Sequence, residues 1–131
     1  MHEYSLAQAL LDGLLEHLRN HPPPGRVAKV HLRQGELLVL SEWALREAWR
    51  ILAEGTEVAG AELVIEKVPV RARCPSCGYE GPVGYLKDEG WHFAVPVLAC
   101  PRCGERTEVL SGRELAIVGL SVDDPAESAP V

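Results

Sequence analysis

Two short cysteine repeats limit this chain's architecture before anything else does: Cys74-Pro75-Ser76-Cys77-Gly78 and Cys100-Pro101-Arg102-Cys103-Gly104, which between them hold all four cysteines. Two residues between sulfurs let a tight turn aim both at one tetrahedral ion, and the glycine that follows admits the backbone conformation such a turn needs. Two knuckles separated by 22 residues (78–99) complete a closed shell of four thiolates, with no position left for a substrate. The expectation is one structural Zn²⁺ on Cys74, Cys77, Cys100 and Cys103. A redox dithiol would need only one of the repeats. The segment between the knuckles is too small to bury much core, so the ion should supply most of its folding free energy, on the order of 10 kcal/mol. His92 lies in that segment; with four thiolates already present, packing or solvation is its simpler role.

The other 100 or so residues must fold by ordinary means, and composition allows it. Hydrophobic residues make up 47% of the 131, enough for a real core in one compact domain bearing a small metal-stapled lobe. The formal net charge is −6, and four thiolates on one Zn²⁺ add roughly two more negative charges. So acidic a chain is poorly suited to binding a phosphate backbone. Its first residues carry no basic n-region, and Glu3, Asp12 and Glu16 interrupt any apolar run of the signal-peptide kind. No stretch is long and apolar enough to cross a bilayer. A cytosolic protein is expected, without a membrane partner, in a compartment that keeps thiols reduced.

Element signals alternate along the chain. Ser5-Leu6-Ala7-Gln8 reads as a capping box, with Ser5 as N-cap of a helix whose apolar stripe is Leu6, Leu10, Leu11, Leu14, Leu15 and Leu18. His21-Pro22-Pro23-Pro24-Gly25 stops it. On this reading Met1 to Tyr4 stand outside the helix as a short free arm. Val27 to Arg33 alternates as a half-buried strand, with Ala28, Val30 and Leu32 inward and Lys29, His31 and Arg33 outward. Ser41 caps a second helix with Ala44, Leu45, Ala48, Trp49 and Leu52 on its buried face, ended by Gly55. Ala61 to Val70 is a second strand, Leu115 to Val122 a third, and Asp123 to Val131 a loose polar tail. The predicted fold is α+β: two helices packed on a three-stranded mixed sheet, with a zinc-ribbon-like lobe inserted before the last strand. Residues 1–71 plus 107–131 form the α/β domain, and 72–106 the lobe.

The N-terminal Met1-His2-Glu3 offers a second metal chemistry. A free α-amine, the next backbone nitrogen and the His2 imidazole can close adjacent chelate rings, and nitrogen donors in a tetragonal plane suit Ni²⁺ or Cu²⁺. Glu3 can orient the imidazole from behind. A bulky second residue also keeps Met1 in place. Taken alone the pattern is weak, since most terminal histidines are simply solvated. His17 and His21, four apart, could pair on a helix face, but interaction with the helix C-terminus is the plainer account.

Met1-His2-Glu3 with Ser5, the run Gly60-Ala61-Glu62-Leu63-Val64-Ile65-Glu66, both CxxCG knuckles and Gly112-Arg113-Glu114-Leu115 occur in an order and spacing that resemble the HypA family. These are nickel metallochaperones of [NiFe]-hydrogenase maturation. The resemblance spans nearly the whole chain. It implies that His2, with the terminal amine at Met1 and the backbone nitrogens of His2 and Glu3, binds Ni²⁺ for delivery, while the four cysteines hold Zn²⁺. It implies two partners, a HypB-type GTPase and the hydrogenase large subunit precursor, and a partner-contact role for Glu3. The uncharged final strand and the Pro- and Ala-containing tail depart from the family's more acidic ending.

A binder and not an enzyme is expected. There is no nucleophile–base pair, no G-x₄-GK[ST] phosphate loop and no open zinc shell. The rival reading is a zinc-ribbon interaction module of transcription or RNA processing. Between Ala72 and Arg106, however, four basic residues (Arg73, Lys87, Arg102, Arg106) face four acidic ones (Glu80, Asp88, Glu89, Glu105), which makes no electropositive surface for nucleic acid. Tyr79, Tyr85, Trp91 and Phe93 serve better as a miniature core than as base-stacking platforms.

Overall fold

A computed structural model describes residues 2–86 and 95–123. Met1, the 87–94 segment with His92, Trp91 and Phe93, and the tail beyond Asp123 lie outside the described residues.

Helix α1 (Glu3–Asn20) buries Ala7, Leu11, Leu14 and Leu18, spaced so that they form a single stripe. Its start corrects the sequence reading. The N-cap is His2, whose carbonyl accepts from Leu6 N–H at 3.0 Å, and no side chain caps the end. Ser5 therefore sits inside the first turn, and of the expected arm Glu3 and Tyr4 belong to the helix, with His2 as its cap. The capping-box pattern was outweighed by Glu3. A carboxylate in the first turn complements the positive helix end, and this one has a further anchor described below. Strand β1 (Val27–Gly35) buries Val27, Val30, Leu32 and Gln34; of the predicted inward set Val30 and Leu32 are buried, while Ala28 is half-buried and Val27 takes the inner place. Helix α2 (Glu42–Ala53) begins where expected: the Ser41 hydroxyl accepts from Ala44 N–H at 3.2 Å. It buries Leu45, Ala48, Trp49 and Ala53 and packs against α1. Strand β2 (Glu62–Val68) buries Leu63 and leaves Glu62 and Glu66 exposed. Beyond the cysteine region, β8 (Leu115–Val122) joins β2 and β1 in a three-stranded mixed sheet of order β2-β1-β8.

The cysteine region holds more regular structure than its glycines and prolines suggest. Strands β3 (Arg71–Arg73), β4 (Glu80–Pro82) and β7 (Glu108–Ser111) form an antiparallel sheet of order β4-β3-β7. Between them β5 (Tyr85–Leu86) and β6 (Val95–Pro96) make a two-stranded ribbon. The small core here is Val70, Ala72 and Val83, with Leu37, Tyr85 and Val109 packed on it. Tyr85 thus joins a miniature core, as its chemistry suggested, and its hydroxyl accepts from Val70 N–H at 3.3 Å.

Described residues within Met1–Leu32, Leu40–Glu66 and Ala116–Val131 form one compact unit; those within Arg33–Val39 and Lys67–Leu115 form another. In the second unit 33–39 and 107–115 group with the cysteines because backbone bonds tie them together: Gly35 N–H to Glu114 O at 2.7 Å, Glu36 N–H to Val68 O at 2.9 Å, and Leu37 N–H to Gly112 O at 2.9 Å. Gly35 approaches Gly112 so closely that a Cβ on it would lie 2.0 Å from the Gly112 carbonyl oxygen, so no other residue fits there without moving backbone.

Candidate metal centres

The two knuckles are built alike, bond for bond. In the first, Cys74 N–H donates to Tyr79 O at 2.7 Å and Gly78 N–H to Cys74 O at 2.9 Å. In the second, Cys100 N–H donates to Glu105 O at 2.7 Å and Gly104 N–H to Cys100 O at 2.8 Å. Gly78 and Gly104 take φ of 81° and 79°, a left-handed turn that costs any L side chain strain. Strand pairing then brings the knuckles together. Cys74 follows directly on β3, and the Ala99–Arg106 bridge closes the second turn. Thr107 Oγ1 donates to Leu98 O on the same turn, and Tyr79 Oη to Pro82 O at 2.5 Å stiffens the first.

All four sulfurs lie within 4.8 Å of one another. Cys74 Sγ is 3.5 Å from Cys103 Sγ, and Cys77 Sγ is 3.7 Å from Cys100 Sγ. A tetrahedron with metal–sulfur bonds of about 2.3 Å has edges of about 3.8 Å, so the cluster is nearly the size of a filled zinc shell. None of the four is in a disulfide. Cys74 and Cys100 are buried, Cys77 and Cys103 exposed, which gives the site a dry half and a wet half.

The thiols show what such crowding does. The Cys77 N–H holds the Cys74 thiol below its ordinary value. Burial pushes Cys100 up, but N–H groups of Cys103 and Arg102 and the neighbouring sulfurs win, lowering it to about 7. At Cys103 the Glu105 N–H favours the thiolate; burial and the three other sulfurs outweigh it and raise the thiol to about 12. Four anions at this spacing need a cation among them. These residues could hold one soft or borderline divalent ion in an all-sulfur shell, with no open position.

The N-terminal residues are arranged differently. His2 is exposed at the start of α1. Glu3 is buried, and its carboxylate accepts from the Ser41 backbone N–H at 3.1 Å, at the N-terminal end of α2. That bond and the residue's own N–H depress the Glu3 pKa. The carboxylate thus clamps the start of one helix to the start of the other. Sequence reasoning missed Ser41 as its partner, and no local signal could have supplied it across 38 positions. Met1, the expected amine donor, lies outside the described residues, as does His92.

Glu114, in the Gly112-Arg113-Glu114-Leu115 run, accepts from Gly112 N–H at 2.6 Å and so closes the turn into β8. It is a structural carboxylate, lowered in pKa chiefly by that bond.

Comparison with known proteins adds a family. Residues 1–122 match the pattern of the family described as hydrogenase/urease nickel incorporation, metallochaperone, HypA. The hydrogenase maturation factor HypA of Streptomyces avermitilis is 38% identical over 125 residues, covering 95% of this chain and 88% of that protein. That of Thermomicrobium roseum is 40% identical over 130 residues, covering 93% and 98%. Among solved structures, the Ni metallochaperone HypA from Helicobacter pylori shares the fold at a TM-score of 0.61 and 20% identity, covering 93% of this chain and 97% of that one. A second solution structure of a HypA protein does so at 0.64 and 21%, covering 95% and 98%.

Proposed function

Since this chain belongs to the HypA family of hydrogenase/urease nickel incorporation metallochaperones, we propose that it carries Ni²⁺ on its N-terminus and delivers it during [NiFe]-hydrogenase maturation. The match over residues 1–122, which includes the whole of both cysteine knuckles and the N-terminal residues, carries the reading. Ni²⁺ is held by the amine of Met1, the imidazole of His2 and the backbone nitrogens of His2 and Glu3. Zn²⁺ resides on Cys74, Cys77, Cys100 and Cys103, where it fixes the lobe and takes no part in transfer.

The start of α1 at Glu3 supports the nickel chemistry. Ni²⁺ binds an amide nitrogen once that nitrogen has lost its proton. The amides at the head of a helix have no carbonyl one turn back to accept them, and the positive helix end favours the anion formed. An exposed terminus also suits a cargo that must leave again, as a buried cage does not. The buried Glu3 carboxylate anchors this terminus while His2 stays exposed, so the donor set is tethered at one side and free at the other. The protein acts as a binder and not as a catalyst, in the cytoplasm. It passes the ion on with a HypB-type GTPase to the hydrogenase large subunit precursor. A transcriptional zinc ribbon is not favoured by the family, nor by the charge balance of the lobe.

The test is a Ni²⁺ titration of the zinc-loaded protein, repeated with His2→Ala and with three residues added ahead of Met1. Both changes should abolish the tight N-terminal binding, the first by removing the imidazole and the second by displacing the amine from its chelate ring. Equal tight binding by all three proteins would refute the site.

A further inference from the structure

The C-terminal end of α1 carries two histidines, His17 in its last turn and His21 as its C-cap, that neither the nickel terminus nor the cysteine cluster uses. His17 and His21 are both exposed, and their rings stack with centroids 4.6 Å apart and planes inclined by 20°. We propose that His17 and His21 form a second metal site, a two-nitrogen chelate for a borderline divalent cation such as Ni²⁺.

Four observations combine. First, positions four apart project from one face of a helix. Here the helix runs to Asn20 and the His21 N–H still bonds to His17 O at 2.8 Å, so the second ring stays in register one turn beyond the first. Arg19, two positions from each, does not share that face. Second, His21 Nδ1 lies 3.4 Å from the His17 carbonyl oxygen. With the proton on Nδ1 donated to that oxygen, the Nε2 lone pair is left for an ion, the same tautomer logic that orients metal-bound imidazoles elsewhere. Third, the pair sits at the C-terminal, negative end of α1, where a cation is favoured. Fourth, His17 also borders an apolar groove of ≈ 500 Å³ between α1 and β8, lined by Leu10, Leu14, Ile117 and Leu120 among others, so no charged side chain of that groove competes for the ion. Two imidazoles and no carboxylate or thiolate select Ni²⁺, Cu²⁺ or Zn²⁺ over Mg²⁺ and Ca²⁺. The remaining positions stay open to water or to an incoming donor, so the ion exchanges readily.

His17 lies fifteen positions beyond His2, or about 22 Å along a helix axis, so one ion cannot serve both. A role in staging nickel for the terminus rests on the proposed function; the binding itself does not.

Calorimetry of the zinc-loaded full chain against Ni²⁺ tests the site. The wild type should take up two further ions. His2→Ala should retain one, the double variant His17→Gln/His21→Gln should lose that one while keeping the N-terminal ion, and either single change should weaken it at least about tenfold, because a chelate's second donor binds intramolecularly. Unaltered uptake by the double variant, or no uptake by His2→Ala, would overturn the proposal, whereas uptake of both ions by His2→Ala would overturn only the terminal site. Nuclear magnetic resonance of His2→Ala gives a readout without any change at the pair: Ni²⁺ should broaden the ring resonances of His17 and His21 first, and absence of that broadening would also overturn it.

Discussion

Glu3 and Glu114 are each held chiefly by a backbone N–H group, that of Ser41 for Glu3 and that of Gly112 for Glu114. A hydrogen bond to the ionised form favours that form, which is why both lie below the ordinary value of 4.5. Each therefore adds stability that is complete above that ordinary value and is lost as the pH falls through the depressed folded value. Glu3→Gln and Glu114→Gln should each flatten the acid limb of a plot of melting temperature against pH below about 4.5, leaving its shape near neutrality unchanged. An unaltered acid limb in both variants would mean that these bonds are not formed in solution. Neither residue's partner is legible in the sequence. Glu114 bonds only two residues away, yet the turn that permits it depends on Gly112 at φ 114° against Val70. The cysteines are the opposite case: spacing alone picked out the four sulfurs that the fold gathers within 4.8 Å, because a knuckle is a local object.

At the scale of elements, α2 was readable from both ends inward. A serine hydroxyl caps it and an apolar face runs Leu45, Ala48, Trp49. Ser41→Ala should cost about 1 kcal/mol in denaturant unfolding while leaving Glu3 its partner, since Ser41 serves that carboxylate through its backbone; a cost under about 0.3 kcal/mol would show that the cap does not hold the helix. Helix α1 was read with Leu11, Leu14 and Leu18 rightly buried, Leu6, Leu10 and Leu15 only half-buried, and the wrong start. Ser5 and Gln8 fit a capping box, but a buried carboxylate at position 3 decided the matter, and burial by a partner 38 residues distant leaves no trace in local sequence. Ala7, fully buried, was overlooked for a similar reason: leucines dominate an apolar stripe by eye, whereas close helix packing favours a small residue. Strands β3, β4 and β7 are three or four residues long, too short to show a period of two, and their pairing is imposed by the knuckles they flank.

The whole molecule comprises two compact units with different sources of stability. The unit of α1 and α2 rests on buried leucines and Trp49, each contributing on the order of 2 kcal/mol. The unit of the cysteines has a core of Val70, Ala72 and Val83 and little more, so its order should depend on the ion. Cys77→Ser should release zinc and abolish hydrogen-exchange protection across β3, β4 and β7, with protection in α1 and α2 retained. Loss of protection throughout would show that the two units do not fold separately.

Delivery of nickel from the N-terminus is the central claim, and its most direct measurement is complementation. In cells deleted for their own HypA and producing a [NiFe]-hydrogenase that this protein can serve, the wild type should restore hydrogenase activity at limiting nickel. His2→Ala should fail at limiting nickel and recover when nickel is supplied in excess. Full restoration by His2→Ala at limiting nickel, at equal protein level, would contradict the account.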